Sequence, residues 1–328
     1  MNDNKEIFVN PRGGWQPQEK LEYSPIFIWP PSPTKFLKWL LKFPGYIWPW
    51  NIFYIGIAVL SYLFFLPNIN KCASFSLDWI SVIFFRNIFL IVLLAGFWHI
   101  RLHILKYQNN EFKYNINPLG KEKKQWLLGS QTRENMFWSL CSGGVIWTAY
   151  EVFMIWMYAN DLFLFPLKDW LSNPIYFGLL FLLIPLWQEF HFYITHRISH
   201  WKIIYRFVHY LHHRNVNTGP WSGLSMHPIE HLFYFSTVLI HLIIPTHPLH
   251  FIFHLQQTAL RAIQGHSGYD QLILNNNSKV ALPHASYFHY LHHKYFECNY
   301  GELSIPLDKW LGSFHDGTKK FHEKLFKK

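Results

Sequence analysis

Histidines at helical spacing are concentrated in one part of the sequence. Seventeen of the 21 histidines lie between His191 and His293. Eight of these form three groups in which neighbours are at most four residues apart, namely His196, His200, His209, His212, His213, His289, His292 and His293. Side chains at positions i, i+3 and i+4 share one face of a helix, so each group directs its imidazoles to one place. This is the spacing that helical metal ligands need.

Two metal ions are the simplest explanation for so many imidazoles. Neutral histidine is the commonest side-chain metal ligand, and it suits iron, zinc, copper and nickel. Eight histidines exceed what one tetrahedral or octahedral ion can bind. The sequence contains no Glu-x-x-His pair, which argues against a carboxylate-bridged ferritin-type site. It also contains no His-Glu-x-x-His motif, which argues against a zinc-protease helix.

If the first two histidine groups serve one site, the chain must bend between them. His196 and His209 are 13 residues apart. At about 100° per residue, one straight helix would place them on opposite sides. We therefore predict a break near Trp201 and Lys202, where a membrane helix would leave the bilayer.

The composition is that of a membrane protein. Hydrophobic residues make up 50% of the chain and charged residues only 15%, whereas a soluble domain averages roughly 25% charged residues. The net charge of +10 fits either nucleic-acid binding or basic loops beside anionic lipid. The long apolar runs favour the second interpretation. The three cysteines are widely separated, so no disulfide framework is expected.

Four apolar runs are long enough to span a hydrocarbon core of about 30 Å. They cover residues 45–67, 77–100, 136–159 and 174–193. The second run contains Arg86 and the third contains Glu151. An intramembrane carboxylate is a functional candidate, and it is equally a partner for a buried arginine. The sequence leaves both interpretations open.

Lysine and arginine alternate between the segments that connect these runs. Residues 1–44 contain six, residues 101–135 contain seven, and each of the other two connectors contains one. Cytoplasmic loops carry the excess of positive charge. The N-terminus, residues 101–135, the histidine groups and the C-terminus are therefore predicted to face the cytoplasm.

The apolar stretch 232–255 is predicted to be a hairpin and not a fifth span. Pro245 and Pro248 interrupt it. A complete span would also place the last histidine group across the membrane from the first. We expect two short helices in a re-entrant or interfacial hairpin, over residues 232–244 and 249–262.

Five further residues are candidates beside the three groups. His266 is predicted to be an additional metal ligand, with Asp270 in a supporting position. His227 and His231 are either ligands or orienting residues, and His227 could instead be a helix N-cap. His284 remains without an assigned role.

The motifs, in order, are H-R-x-x-H, H-x-x-H-H, H-P-I-E, H-S-G-Y-D and a second H-x-x-H-H followed by N-Y-G. In this order they resemble the fatty acid hydroxylase/sterol desaturase superfamily, over about residues 136–318. The resemblance implies a non-haem di-iron centre, with zinc also found in purified relatives. It further implies O2 as oxidant and an external electron donor that is cytochrome b5-like or ferredoxin-like. The implied ligands are His196, His200, His209, His212, His213, His266, His289, His292 and His293.

These expectations describe an all-α integral membrane protein. About four transmembrane helices and the hairpin hold a cytoplasmic cap that carries the histidine boxes. The expected divisions are a cytoplasmic segment 1–44, a transmembrane hairpin and basic loop 45–135, a catalytic domain 136–318 and a basic tail 319–328. The membrane is that of the endoplasmic reticulum or the bacterial inner membrane.

The expected reaction is O2-dependent hydroxylation or desaturation of a lipid or sterol. An unactivated C–H bond is too strong for side-chain acid–base chemistry, so a redox metal is required, with electrons from a separate protein. Two alternatives remain at this point. One is a zinc-dependent membrane hydrolase that uses the same histidines, and the other is a non-catalytic haem- or metal-binding membrane protein. No nucleic-acid partner is expected.

Overall fold

Four helices in the part of the chain that the structure describes are long and apolar enough to cross a membrane. The computed structural model describes residues 14–19, 21–120, 125–275 and 280–326. A short helix, Pro33–Leu41 (α1), precedes the four. They are Ile47–Phe65 (α2), Leu77–Ile104 (α3), Gln131–Ala159 (α4) and Pro174–Ser199 (α5). The prediction of four spans is confirmed, while parts of the predicted N-terminal segment, basic loop and tail (residues 1–13, 20, 121–124, 327 and 328) lie outside the described residues.

The remaining helices follow α5 and form the central hairpin and the cap that carries the histidines. Residues 202–213 form a short irregular helix (α6). The later helices are Pro228–Phe235 (α7), which continues as a 3-10 turn Ser236–Leu242, Pro248–Gly265 (α8), Tyr287–Tyr295 (α9), Leu307–Trp310 (α10) and Lys319–Phe326 (α11). Single-turn 3-10 helices occur at Pro25–Phe27, Ile69–Ala73, Trp170–Ser172 and Pro220–Leu224.

Helix α5 carries the first histidines at its C-terminal end. Local structure defines both ends of this helix. Asn173 is the N-cap, and its side chain accepts a hydrogen bond from the backbone of Tyr176. Beyond Ser199 the chain turns at Trp201, whose ψ of 135° is extended and ends the helix. Helix α6 begins at the next residue. The break predicted near Trp201 is confirmed.

The proline-interrupted stretch is a re-entrant hairpin that lies in the centre of the bundle. Its arms are residues 228–242 and Pro248–Gly265, which begin earlier or end later than predicted. Fifteen of the 18 residues of α8 are buried, and the helix packs against α2, α3, α4 and α5. Helix α8 is therefore a core helix, which fits the re-entrant form of the predicted hairpin.

The bundle has two chemically different ends. At one end the side-chain amide of Asn160 donates to the backbone oxygen of Ala73 (3.1 Å), and the backbone N–H of Leu167 donates to that of Thr246 (2.9 Å). These contacts bring together the hairpin turn and the two connectors that each hold one basic residue. The opposite end holds the histidine groups and the basic residues of the second connector that the structure describes, Arg101, Lys106, Lys113 and Arg133.

A small antiparallel sheet was not expected in an all-α chain. Gln271–Asn275 (β1) pairs with Val280–Pro283 (β2), with Leu272 opposite Leu282. The pair leads the chain from the end of α8 to α9. The mostly helical prediction holds, and the sheet is a local addition to it.

A buried ion pair joins two of the spanning helices. Arg86 Nη2 on α3 lies 2.5 Å from Glu151 Oε2 on α4, and both side chains are almost fully buried. Asn87 donates to the same carboxylate oxygen (3.1 Å) and to Thr148 (3.2 Å). Glu151 is therefore the partner of Arg86 and takes no part in the histidine site.

We predict that breaking this pair on one side destabilises the bundle. Glu151→Leu leaves an uncompensated buried guanidinium, which costs roughly 3–5 kcal/mol. The double variant Arg86→Met/Glu151→Leu should recover most of that loss, because it removes both charges. Thermal unfolding in detergent measures the effect, with Lys168→Met in the exposed Lys168–Asp161 pair as control. A single variant as stable as the parent protein would contradict this assignment.

Candidate metal centre

Four elements position the histidines around one place. His196 lies in the last turn of helix α5, and His200 is the C-cap of that helix. Helix α6 carries three more, and His266 is the C-cap of α8. Helix α9 carries the last three. The site is therefore built where one spanning helix, the central hairpin and two cap helices meet.

The histidines form two compact groups. The first group contains His196, His200, His209, His213 and His292. The second group contains His212, His266, His289 and His293. In each group the candidate ligand atoms all lie within 4.8 Å of one another. The nine residues are those that the sequence and its resemblance had singled out, and all except His200 are buried.

The closest nitrogen atoms in each group are at the spacing of neighbouring ligands on one ion. In the first group, successive Nε2 atoms are 3.0 or 3.1 Å apart. In the second group they are 3.0–3.3 Å apart. Bonds of about 2.1–2.2 Å in an octahedron place neighbouring ligands about 3.0–3.1 Å apart, whereas a zinc tetrahedron requires about 3.3–3.4 Å. Most of the spacings match the octahedral edge.

Backbone carbonyls orient several of the rings. His196 Nδ1 donates to Tyr300 O (2.7 Å), and His292 Nδ1 donates to Cys298 O (2.6 Å). A carbonyl oxygen only accepts, so the proton of each neutral ring is on Nδ1 and the Nε2 lone pair is free. The N-Y-G motif thus contributes the backbone carbonyl of Tyr300 to the site. The residue types of the motif did not predict this contribution.

The second group contains a contact that cannot be a hydrogen bond in neutral rings. His266 Nδ1 donates to Ala262 O (2.8 Å), and His212 Nδ1 donates to Ser225 O (3.3 Å). Both Nε2 atoms are therefore unprotonated, yet they are 3.3 Å apart. Two facing lone pairs repel each other unless a cation lies between them. This arrangement fits a bound metal ion.

Burial keeps the imidazoles neutral. It lowers the pKa of His209 to about 3 and the pKa of His266 to about 4. It also lowers the pKa of His213, His292 and His293 well below the usual value, with neighbouring imidazoles adding to the effect. At neutral pH these side chains present lone pairs, as metal binding requires.

Glu230 is a site residue that sequence reasoning missed. Its Oε1 accepts a hydrogen bond from His209 Nδ1 at 2.7 Å, and the carboxylate is almost fully buried. A carboxylate in this position fixes the ring and strengthens its other nitrogen as a ligand. Glu230 is the last residue of the H-P-I-E motif, so this motif contains the sequence signal for its role.

The other sequence candidates lie outside both groups. His227 Nδ1 accepts from the backbone of Ile229 (3.2 Å), so it caps α7. His231 is within hydrogen-bond distance of Ser142 Oγ (2.9 Å). Asp270 accepts from the hydroxyl of Tyr114 (2.8 Å) and so fixes the segment before β1. His284 is buried against Trp98 and Trp50.

A cavity adjoins the two groups. Five of the histidines line it, together with polar and apolar residues of α5, α7 and α8. Phe192 packs its ring 4.7 Å from His196, and Met226 and Tyr234 form other parts of the wall. The wall places apolar surface beside the candidate ligands.

A family model supports the resemblance that the sequence indicates. Residues 181–313 match the family model described as fatty acid hydroxylase. This match and the curated relatives support the fatty acid hydroxylase/sterol desaturase superfamily. The match includes all nine histidines. No solved structure matches the chain significantly.

Curated proteins that are similar to this chain include three sterol desaturases. The Delta(7)-sterol 5(6)-desaturase of Eremothecium gossypii is 27% identical over 44% of this chain and 39% of the relative. Delta(7)-sterol 5(6)-desaturase ERG3A of Gibberella zeae is 31% identical over 41% and 37%. The Delta(7)-sterol-C5(6)-desaturase of Nicotiana tabacum is 27% identical over 48% and 55%. The matched region spans 37–55% of the length of these relatives.

We predict that the two groups lose metal independently. His292→Ala should remove the ion of the first group, and His289→Ala should remove the ion of the second group. Each substitution deletes a nitrogen that belongs to one group only. Metal analysis of the purified protein measures the loss. The control is His191→Ala, on the same helix as His196 but outside both groups. Equal retention in all three variants would contradict the grouping.

We also predict that Glu230 controls metal affinity without binding metal itself. Glu230→Leu should weaken metal retention by about 10–100-fold, as loss of such an outer partner does elsewhere. Glu230→Gln keeps an acceptor for His209 and should lose less. Competition with a chelator measures both effects. If Glu230→Leu held metal as tightly as the parent protein, the orienting role would be wrong.

Proposed function

We propose that this protein uses two iron ions and O2 to oxidise a C–H bond of a lipid, with a sterol as the best-supported substrate. The observation that carries the proposal is the set of nine imidazoles in two buried groups, with lone pairs facing one another. The match to the fatty acid hydroxylase family model supports lipid oxidation. The names of the three relatives support desaturation of a sterol.

The residues of each group would hold one ion. Imidazole ligands suit iron, zinc, copper and nickel, and the match to the fatty acid hydroxylase family favours iron. Bound iron would supply the one-electron chemistry that activation of O2 needs. Glu230 and the carbonyls of Tyr300 and Cys298 hold the rings in place, so the ligand set needs little rearrangement to bind metal.

The cavity wall would aim the substrate. Phe192, Met226 and Tyr234 present apolar surface to a lipid and exclude water from the ligands. Excluding water protects reactive species from side reactions. Desaturation consumes O2, two electrons and two protons, removes two hydrogens from the lipid and releases two waters. Hydroxylation uses the same inputs, inserts one oxygen and releases one water.

We propose that the histidine end of the bundle faces the cytoplasm. That end carries Arg101, Lys106, Lys113 and Arg133 of the connector that is richest in basic residues, while the connectors at the opposite end each hold one lysine. This distribution follows the rule for cytoplasmic loops. The active site would then be reachable by a soluble or membrane-anchored electron donor on the cytoplasmic side.

A surface cleft beside the first group is suited to that donor. The cleft has a volume of ≈ 610 Å³ and is lined by Arg206, Phe207, Arg214 and His213, among others. Phe207 is 69% exposed. His213 belongs to the first group, so the cleft brings the surface to a candidate ligand. Basic residues around an exposed aromatic ring complement an acidic redox partner.

We predict sterol desaturation that depends on the histidines. Membranes containing the protein, supplied with O2, a reductase and cytochrome b5, should convert cholest-7-en-3β-ol to a product lighter by two hydrogens. His292→Ala should abolish conversion, and His191→Ala should retain it. Mass spectrometry of extracted sterols, with O2 uptake, measures the reaction. Bound zinc without O2 uptake under iron-replete conditions would contradict the proposal.

We predict that Arg206→Glu slows electron delivery. Reversing this charge should lower the rate of reduction by cytochrome b5 by roughly tenfold at low salt, because steering depends on complementary charge. Reduction by dithionite should be unchanged, since it needs no docking. Stopped-flow absorbance measures both rates. An equal loss with both reductants would show damage to the metal site and contradict the docking surface.

A further inference from the structure

Two cavities meet at a charged junction next to the histidines. The cavity beside the metal groups shares lining residues with an outer cavity of ≈ 310 Å³. Both are lined by Arg261, Gly265, His289 and Glu302. The outer volume is at the lower end of the range of about 300–1,000 Å³ for small-molecule sites. The four shared residues therefore separate an outer chamber from the candidate metal centre.

Arg261 and Glu302 have hydrogen-bonding capacity that the protein does not use. Arg261 Nη2 is 3.8 Å from Glu302 Oε2, which is too long for a hydrogen bond. In the described part of the chain, neither side chain makes any other polar contact. Their exposed fractions are 34% and 23%, although Arg261 lies on the buried helix α8. The accessible atoms line the two cavities.

The protein backbone holds the two residues in fixed positions. Arg261 is on α8, whose neighbours surround it on several sides. Glu302 is followed by a segment that Glu189 anchors, because its Oε1 accepts from the backbone of Ser304 (2.9 Å) and Ile305 (2.7 Å). A preformed pair with unfilled positions needs no rearrangement to bind a ligand.

The chemistry of the pair selects a hydroxyl group. The guanidinium offers donors and the carboxylate offers an acceptor. A hydroxyl both accepts and donates, so it satisfies the two side chains at once. A carboxylate or phosphate head group would satisfy Arg261 but would face the negative charge of Glu302. An apolar group would leave the pair without hydrogen-bond partners, because its own 3.8 Å separation is too long for a direct hydrogen bond, and this is costly away from water.

We propose that Arg261 and Glu302 bind a hydroxyl group of the lipid substrate and thereby select an alcohol whose oxidised carbon is only a few bonds from that hydroxyl. This inference rests on the proposed lipid oxidation at the histidine groups. The hydroxyl group and the oxidised carbon must be close together, because Arg261, Glu302 and the candidate ligand His289 line the same cavities. Arg261 and Glu302 are thus specificity-determining residues. The remainder of the lipid extends into the outer cavity, past Trp50 and Tyr54.

Equilibrium binding to the full-length protein in lipid nanodiscs tests this proposal. Two pairs of probes distinguish the hydroxyl group of a sterol from that of a long-chain alcohol. One pair is cholest-7-en-3β-ol and cholest-7-ene, and the other is hexadecan-1-ol and hexadecane. The parent protein should bind at least one alcohol about tenfold or more tightly than its partner without the hydroxyl, as expected for hydrogen bonds to charged groups. A preference only in the first pair identifies a sterol.

Matched variants assign the preference to the pair. Glu302→Gln and Arg261→Met preserve side-chain size and should each reduce the preference for the alcohol to threefold or less. Lys168→Met, which removes an exposed cation in the opposite connector, should leave the preference intact. Metal content should be unchanged in all three variants, which shows that the fold and the histidine groups are intact.

Two results would overturn the inference. One is the absence of a preference for the alcohol in either pair of probes, and the other is a preference that both variants retain. The inference and the proposed function fail separately. A protein that oxidises the sterol but binds cholest-7-ene equally well refutes only the hydroxyl site. A protein that prefers the alcohol but consumes no O2 refutes only the oxidation.

Discussion

The structure depends on one electrostatic constraint, which is that nine neutral imidazoles are packed together and five of them direct an unprotonated nitrogen inward. Such an arrangement is unfavourable without cations, since lone pairs repel at the 3.1 Å between His196 and His209 and the 3.3 Å between His212 and His266. The surrounding protein enforces it by hydrogen bonding the other nitrogen of these five rings. The carbonyls of Tyr300, Cys298, Ala262 and Ser225 do this for four rings, and Glu230 does it for His209.

The helical scaffold is arranged so that distant parts of the sequence meet at this constraint. Helix α5 brings two histidines to the cap, and the turn at Trp201 redirects the chain so that α6 faces them. The hairpin leaves the cap at α7, reaches the opposite end of the bundle and returns through α8 to deliver His266. Its central position gives the site a rigid support and also a wall for the adjoining cavities.

Local patterns in the sequence were sufficient for much of this description. The i, i+3 and i+4 spacing placed the histidines on shared helix faces, and the angular argument for His196 and His209 located the bend at Trp201. Charge within apolar runs indicated the partnership of Arg86 and Glu151, which the structure distinguishes from a catalytic role. Lysine and arginine counts matched the two ends of the bundle.

Features that depend on tertiary contact were not predictable in the same way. No spacing rule reveals that a backbone carbonyl at Tyr300 would orient His196, because the two are 104 residues apart. The same is true of Glu230, which is oriented toward His209 only once α6 and α7 pack. The depth of α8 in the bundle was also not predicted, since the burial of a helix depends on the neighbours that pack against it. Those polar groups instead lie in the core, where neighbouring helices cover them.

X-ray absorption spectroscopy of anaerobically purified, iron-replete protein tests the central claim most directly, because it reports metal identity, ligand type and bond length together. The account predicts two iron ions per chain, each with five or six nitrogen or oxygen ligands at about 2.1–2.2 Å. Tetrahedral zinc at about 2.0 Å, with no iron, would contradict the proposed oxidation chemistry. A protein that binds no metal at all would contradict the interpretation of the facing imidazoles.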